Sequence, residues 1–247
     1  MNLILIGVFA SLLAGLATGL GSLSVFFIRR VSDRFLDSSL GFAAGVMLAM
    51  VSFGLIIPAI ESGGIWKTII GIILGTLFLI CCERFIPHMH NVAGIKGPST
   101  SLNRLWLFIL AITIHNFPEG IAVGVGFGSG DIGAGTTLAV GIGLQNIPEG
   151  LAVAYPLLRE GVKRSRAFLI ALLTGLIEPV GGLLGVSVVS LGRFLLPYSL
   201  AFAAGAMLFV ISEEIIPETH SRGNDREATI GVIVGFIVMM VLDNILG

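Results

Sequence analysis

Eight apolar runs dominate the chain, near 2–28, 38–60, 66–84, 105–128, 133–158, 166–191, 196–217 and 229–246. Each is long enough to cross about 30 Å of hydrocarbon as a helix. They leave little else: of 247 residues only 29 are charged, 12% against roughly 25% in an ordinary soluble domain. With 55% hydrophobic residues, no soluble fold of this size has a core that could hide the apolar surface. An integral membrane protein is expected. Pro58 and Pro217 are expected to end their helices early, and the 133–158 run is diluted by glycine. The first run lacks a basic residue ahead of it and is too long for the apolar part of a leader, so it reads as a span. Net charge is −1, which gives no basic field for nucleic acid. Cys81 and Cys82 are adjacent, unsuited to pair with each other, and read as small apolar helix residues.

Basic residues set the expected direction. The loops after spans 1, 3, 5 and 7 hold 12 of the 14 Lys and Arg, among them Arg29, Arg30, Arg34, Arg159, Lys163, Arg164 and Arg222. The other loops hold only Lys67 and Arg193. That asymmetry puts the odd loops inside and both termini outside.

Spans 1–3 recur in spans 6–8 at an offset of 160 residues. Phe42-Ala43-Ala44-Gly45 matches Phe202-Ala203-Ala204-Gly205; Gly15 and Gly21 match Gly175 and Gly181; Gly71 and Gly75 match Gly231 and Gly235. Three spans sharing one offset is hard to ascribe to chance, although Leu and Gly are common here. Each pair lies five spans apart, an odd number, so the copies run in opposite directions. Spans 4 and 5 form a second inverted pair, Asn116-Phe117-Pro118-Glu119-Gly120 against Asn146-Ile147-Pro148-Glu149-Gly150. The expected fold is therefore an all-α integral membrane protein with eight transmembrane helices in a 3+2+3 inverted-repeat arrangement. It forms one domain: repeat 1 about 1–84, a cytoplasmic loop 85–104, a central helix pair 105–158 and repeat 2 about 161–247. Inverted repeats are a signature of alternating access.

The formally charged residues in the interior of the spans, away from their ends, are all acidic: Glu119, Glu149, Glu178, Glu213 and Glu214, with Asp243 near the end of the last one. Carboxylates at the centre of a bilayer cost on the order of 3 kcal/mol each, so they must be protonated, face water or hold a cation. Their neighbours favour a metal cation. His115 and Glu119 are four apart on one helix face, as are Gln145 and Glu149, and Asn116 and Asn146 can join them. Pro118 and Pro148 displace the carbonyls of Ile114 and Leu144, and Glu178-Pro179 repeats the device in span 6 with the carbonyl of Gly175. One imidazole with carboxylates and amides suits a divalent transition ion such as Zn²⁺. The bland reading of Glu119 and Glu149 is a protonated pair tying two helices together. For Glu178 it is a capped kink, opposite Thr18 in the first repeat, and for Met47 a gap-filler mirrored by Met207.

These residues resemble the bacterial branch of the ZIP (Zrt/Irt-like) family of metal transporters, over nearly the whole chain. The resemblance implies a transporter that imports Zn²⁺, with Fe²⁺, Mn²⁺ and Cd²⁺ as further substrates, across the bacterial inner (cytoplasmic) membrane. It implies a primary site of His115, Glu119, Gln145 and Glu149, a second site adding Asn116, Asn146 and Glu178, and Met47 as the helix-2 ligand. Some bacterial relatives have Asp in place of Asn146. No resident cofactor is expected; the partners are divalent metal ions and the lipid bilayer, with a homodimer left open. Glu61 and Asp131 would attract the ion outside, and Glu213, Glu214, Glu218 and His220 would line its inner route or pair locally. His88 and His90 make only a thin version of the family's histidine-rich loop, and an ordinary solvated loop is the plainer reading. Two other classes use similar residues. An intramembrane metal-dependent hydrolase would need a base beside its metal-bound water, as in HExxH, and no Glu follows His115 directly. A proton-coupled organic cation carrier would need an aromatic-lined pocket, which two Trp and two Tyr disfavour.

Overall fold

A computed structural model of the chain describes residues 2–28, 30–90, 94–102 and 104–246. Eight helical rods account for most of them: α1 (Leu3–Phe26), α2 (Asp33–Gly63), α3 (Ile65–Phe85), α4 (Arg104–Gly128), α5 (Ile132–Arg159), α6 (Arg164–Leu191), α7 (Arg193–Thr219) and α8 (Asp225–Leu246). Seven of these are long and apolar enough to cross a membrane. The other, α5, has the length at 28 residues, but Gln145, Asn146, Glu149 and its glycines dilute its apolar content. The molecule is a mostly helical membrane protein.

Local chemistry explains where the rods begin. The side chain of Asn2 accepts the amides of Ile4 and Leu5, Ser32 accepts that of Phe35, and Asp131 accepts that of Ala134. Asp131, expected to attract ions, is thus the cap of α5. Gly64, with φ of 79°, supplies the left-handed residue that lets α3 start directly after α2.

Pro58 and Pro217 do not end their helices. Ahead of each, α2 and α7 loosen into a π-helical stretch, Met50–Ile56 and Ile211–Ile215, and then continue to Gly63 and Thr219. Proline removes one donor and crowds the carbonyl four residues back; a wider turn relieves both. Pro118 and Pro148 lie within unbroken helices, whereas α6 does break, ending one segment at Gly175 and restarting at Glu178.

The rods pack by backbone approach at glycines. A methyl group on Gly45 would overlap the carbonyl of Val232 in α8, and one on Gly205 that of Ile72 in α3. Likewise Gly235 meets the carbonyl of Phe42, and Gly75 that of Phe202. Adding 160 to the α2 residue and subtracting 160 from its α8 partner gives the α7 and α3 residues, so α2 on α8 and α7 on α3 are the same contact in two places. Gly15 and Gly175 each meet the other's carbonyl where α1 crosses α6. Meanwhile α3 and α8 present long rows of exposed Ile, Leu and Val, as a lipid-facing rim would.

The rod ends sort into two groups. Arg159 at the end of α5 pairs with Asp33 at 2.5 Å and donates to the carbonyl of Val31, Arg34 pairs with Glu227 at 2.7 Å, and Arg222 pairs with Asp37. The loops after α1, α5 and α7 therefore share one end, and the loop after α3 joins them through Lys96 on Glu213 of α7. That loop carries a short antiparallel pair, β1 (His88–His90) and β2 (Gly94–Lys96), with His88 opposite Lys96. The α1–α2 loop residue Arg29 and the side chains of His90 and Arg104 lie outside the described residues.

Candidate functional site

Three rods carry the candidate residues to one level: α4 brings His115, Asn116 and Glu119, α5 brings Gln145, Asn146 and Glu149, and the restart of α6 brings Glu178. All but His115 are buried, Glu119 to 1% exposure and Gln145, Asn146 and Glu178 to 0%. Glycine makes this possible, since a side chain at Gly120 would overlap the backbone of Glu178.

Hydrogen bonds tie part of the cluster together. Asn146 Nδ2 donates to Glu178 Oε1 at 2.6 Å and to the carbonyl of Ala14 in α1 at 2.8 Å. Two acceptors on that side settle which way the amide points. Gln145 Nε2 donates to Glu149 Oε1 at 3.4 Å. What stays unpaired is mostly oxygen: Glu119 Oε2, Gln145 Oε1, Asn146 Oδ1, Glu178 Oε2, both amide atoms of Asn116, and the hydroxyl of Thr18. A buried polar atom without a partner costs about 1–3 kcal/mol, so a concentration of acceptors is a place that a cation or its water would satisfy.

The cluster opens into a cavity of about 150 Å³. His115, Asn116, Glu119 and Glu149 line its inner part; Glu213, Glu214, Glu218 and Met89 of β1 line it toward the end that carries the basic loops, and apolar residues such as Phe108, Ile112 and Val210 complete the wall. No Lys or Arg is on its wall among the described residues. Glu213 and Glu214, for which the sequence offers no basic partner within a span, have partners here. Lys96 Nζ reaches Glu213 at 2.9 Å and Glu83 at 3.2 Å, and His115 Nε2 lies 2.5 Å from Glu214 Oε1. Glu218 pairs with Arg222, whose other nitrogen bonds Asp37, itself also bound by Asn224 at 2.8 Å. His220 is held by Thr219, Thr229 and the carbonyl of Ile216.

The structure therefore gathers Glu119, Glu149, Asn116 and His115 around one cavity and places Gln145, Asn146 and Glu178 behind them. Among the described residues no three His, Cys, Asp or Glu side chains converge as a closed metal-binding group. One reason is visible: the His115 imidazole faces α7 and Glu214. Met47 lies wholly within the main apolar core with Met50 and Met207, and is not on the cavity wall. Sequence reasoning did not find the Glu214 partner of His115 or the Ala14 carbonyl, since neither has a spacing signal. Thr18 was visible only as the mirror of Glu178.

Lys96, outside the spans, links three elements. Burial works against its ammonium, but the carboxylates of Glu213 and Glu83 outweigh that and hold its pKa above the ordinary 10.5. A folded value above the unfolded one means that the link contributes in full below the unfolded pKa and is lost as pH rises through the folded value. Lys96→Gln should lower stability by less than about 1 kcal/mol at neutral pH, as partly exposed pairs do. Thermal unfolding of the two proteins in detergent should differ less in high salt; a gap that widens with salt would refute the ion-pair account.

Comparison with known proteins gives a consistent set of likenesses. Residues 95–243 match the family described as ZIP Zinc transporter. The chain is 47% identical to the zinc transporter GufA of Myxococcus xanthus over 98% of this chain and 99% of that one. It is 44% identical to the zinc transporter ZIPB of Bordetella bronchiseptica over 94% and 78% respectively. The human zinc transporter ZIP11 is 36% identical over 93% of this chain and 94% of its own.

Proposed function

We propose, from the premise that this chain belongs to the ZIP family of zinc transporters, that it carries divalent transition-metal ions, Zn²⁺ foremost, into the cytoplasm by alternating access. As a member of that family it is a multi-pass membrane transporter and not an enzyme. The observation that carries the reading is the buried set of unpaired oxygens on α4, α5 and α6, opening into a cavity with acidic residues and no basic one on its described wall. Ordinary packing leaves no such set. A cation with one or two waters would satisfy it.

In this reading α5 is an eighth span that can afford Gln145, Asn146 and Glu149 because its neighbours enclose them. The eight spans form a 3+2+3 inverted repeat, and the mirrored glycine contacts of α2 on α8 and α7 on α3 support it. The end rich in Lys and Arg faces the cytoplasm of a bacterial inner membrane, and both chain ends face outward. The ion sheds water among His115, Glu119, Gln145 and Glu149, with Asn116, Asn146 and Glu178 adjoining, and leaves past Glu213, Glu214 and Glu218. Met47, the helix-2 ligand that the resemblance implies, lies in the apolar core and off the cavity wall. Fe²⁺, Mn²⁺ and Cd²⁺ are further substrates, since a mixed nitrogen and oxygen set does not select sharply among them.

Purified protein in proteoliposomes should take up Zn²⁺ well above protein-free vesicles, and excess Cd²⁺ should compete. Uptake no greater than in empty vesicles for all four ions would refute the proposal.

A further inference from the structure

At the end of the bundle that carries the basic loops, a second recess of about 350 Å³ lies between α5 and the link from α1 to α2. Its wall is Arg30, Val31, Tyr155, Leu158 and Arg159. The link is pinned from several sides. Tyr155, buried, approaches Ser24 Oγ at 3.3 Å and donates to the carbonyl of Ile28; Arg159 donates to the carbonyl of Val31; Arg164 of α6 donates to the carbonyl of Phe26. Among the described residues the guanidinium groups of Arg30, Arg159 and Arg164 thus lie at this link, and the carboxylate that pairs with one of them is Asp33, which Arg159 holds at 2.5 Å. Immediately beside the arginines, Phe27, Ile28 and Phe35 are 79%, 49% and 54% exposed, far from what water tolerates in a row.

We propose that this recess binds the phosphate headgroup of an anionic phospholipid. Two features decide the ligand class. The guanidinium forks of Arg30 and Arg159 match phosphate oxygens, which accept two parallel hydrogen bonds. The exposed apolar residues next to them would face acyl chains, which a soluble anion does not bring, and the height is that of the last turn of α1 and α5, where headgroups lie. The site also has a consequence. The link joins α1, which packs on α5 and α6, to α2, which packs on α8. Asp33 of α2 and a lipid phosphate compete for Arg159, so lipid binding loosens one tie between the two packed groups and adds another through Arg30.

The test uses the full chain in detergent, by thermal unfolding, with phosphatidylglycerol, phosphatidylcholine or inorganic phosphate added. Phosphatidylglycerol should raise the midpoint by about 5 °C over phosphatidylcholine, the scale expected when ligand is well above its dissociation constant. The Arg30→Gln/Arg159→Gln protein should lose that difference, whatever its own midpoint, because each protein is compared with itself. Asp33→Asn, which frees Arg159, should keep the difference or enlarge it. The proposal is overturned if the two lipids act alike on the wild type, if the double variant keeps the full difference, or if inorganic phosphate alone reproduces it.

Discussion

Glu119→Gln and Glu149→Gln should each cut Zn²⁺ uptake in proteoliposomes on the order of a hundredfold, the loss that follows from removing roughly 3 kcal/mol of charged ligand interaction. Glutamine is chosen because it keeps the volume and the hydrogen-bonding reach of glutamate while discarding its charge. If the two carboxyls merely tied α4 to α5 as a neutral, hydrogen-bonded pair, the amides would replace them and uptake would survive. The stability of the same proteins separates these readings again. Glu119 is buried with an oxygen that has no partner, so in metal-free protein the amide should unfold at a temperature equal to or above that of the wild type. The wild type should be stabilised by added Zn²⁺ and the variants much less so. Glu218→Gln, at the far part of the cavity and neutralised by Arg222, should cost less than tenfold, since one order of magnitude is about 1.4 kcal/mol and that carboxylate is already paired. Wild-type uptake by both inner variants would leave the cavity without a function in transport.

How far the residues alone could lead depends on whether a feature is local. Helix existence is local in a membrane: the apolar runs at 66–84, 166–191 and 229–246 became α3, α6 and α8 with ends shifted by a few residues. The two prolines near helix ends fail to stop their helices for a local reason as well. Pro58 and Pro217 are each preceded by two isoleucines, and the chain widens into π turns before them because lipid and neighbouring helices offer the freed carbonyl no water. The offset between the copies drops there from 160 to 159, so the second copy passes its proline in one residue fewer. Pairings were not local. Lys96 and Glu213 are 117 residues apart, and nothing in either segment announces that a short strand pair will carry the lysine back to α7. The spacing of His115 and Glu119 put both on one face, and both do line the cavity. It could not say that the imidazole would face Glu214, because that depends on how α7 leans against α4. Met47 shows the opposite limit: its residue type fits a ligand or a core, and here it is wholly in the core.

A bulky side chain at Gly45 or at Gly205 should abolish correctly folded protein, and the two losses should be alike. A methyl group at either position would already overlap a carbonyl oxygen of the facing helix, that of Val232 or of Ile72. Backbone cannot swing aside as a side chain tip can, so Gly→Leu at either site forces the two rods apart and forfeits the contact along their length. Overpacking in a core ordinarily costs about 1–3 kcal/mol; separating two helices of a membrane bundle costs more, because their association rests on close packing and not on exclusion of water. Gly54 is the contrast. There the obstacle is only the end of the Leu138 side chain, which can turn, so Gly54→Ala should leave folded yield nearly unchanged. The milder Gly45→Ala and Gly205→Ala proteins carry the stronger argument. If α2 on α8 and α7 on α3 are one contact repeated by an inverted symmetry, their thermal midpoints should fall by amounts that agree within a few degrees. The fluorescence profile of detergent-solubilised protein on a sizing column, with midpoints for whatever remains monodisperse, would show it. A severe loss at Gly45 beside a negligible one at Gly205 would mean that the recurrence is a likeness of sequence without a shared mechanics, and the proposed inverted repeat would lose its support from packing.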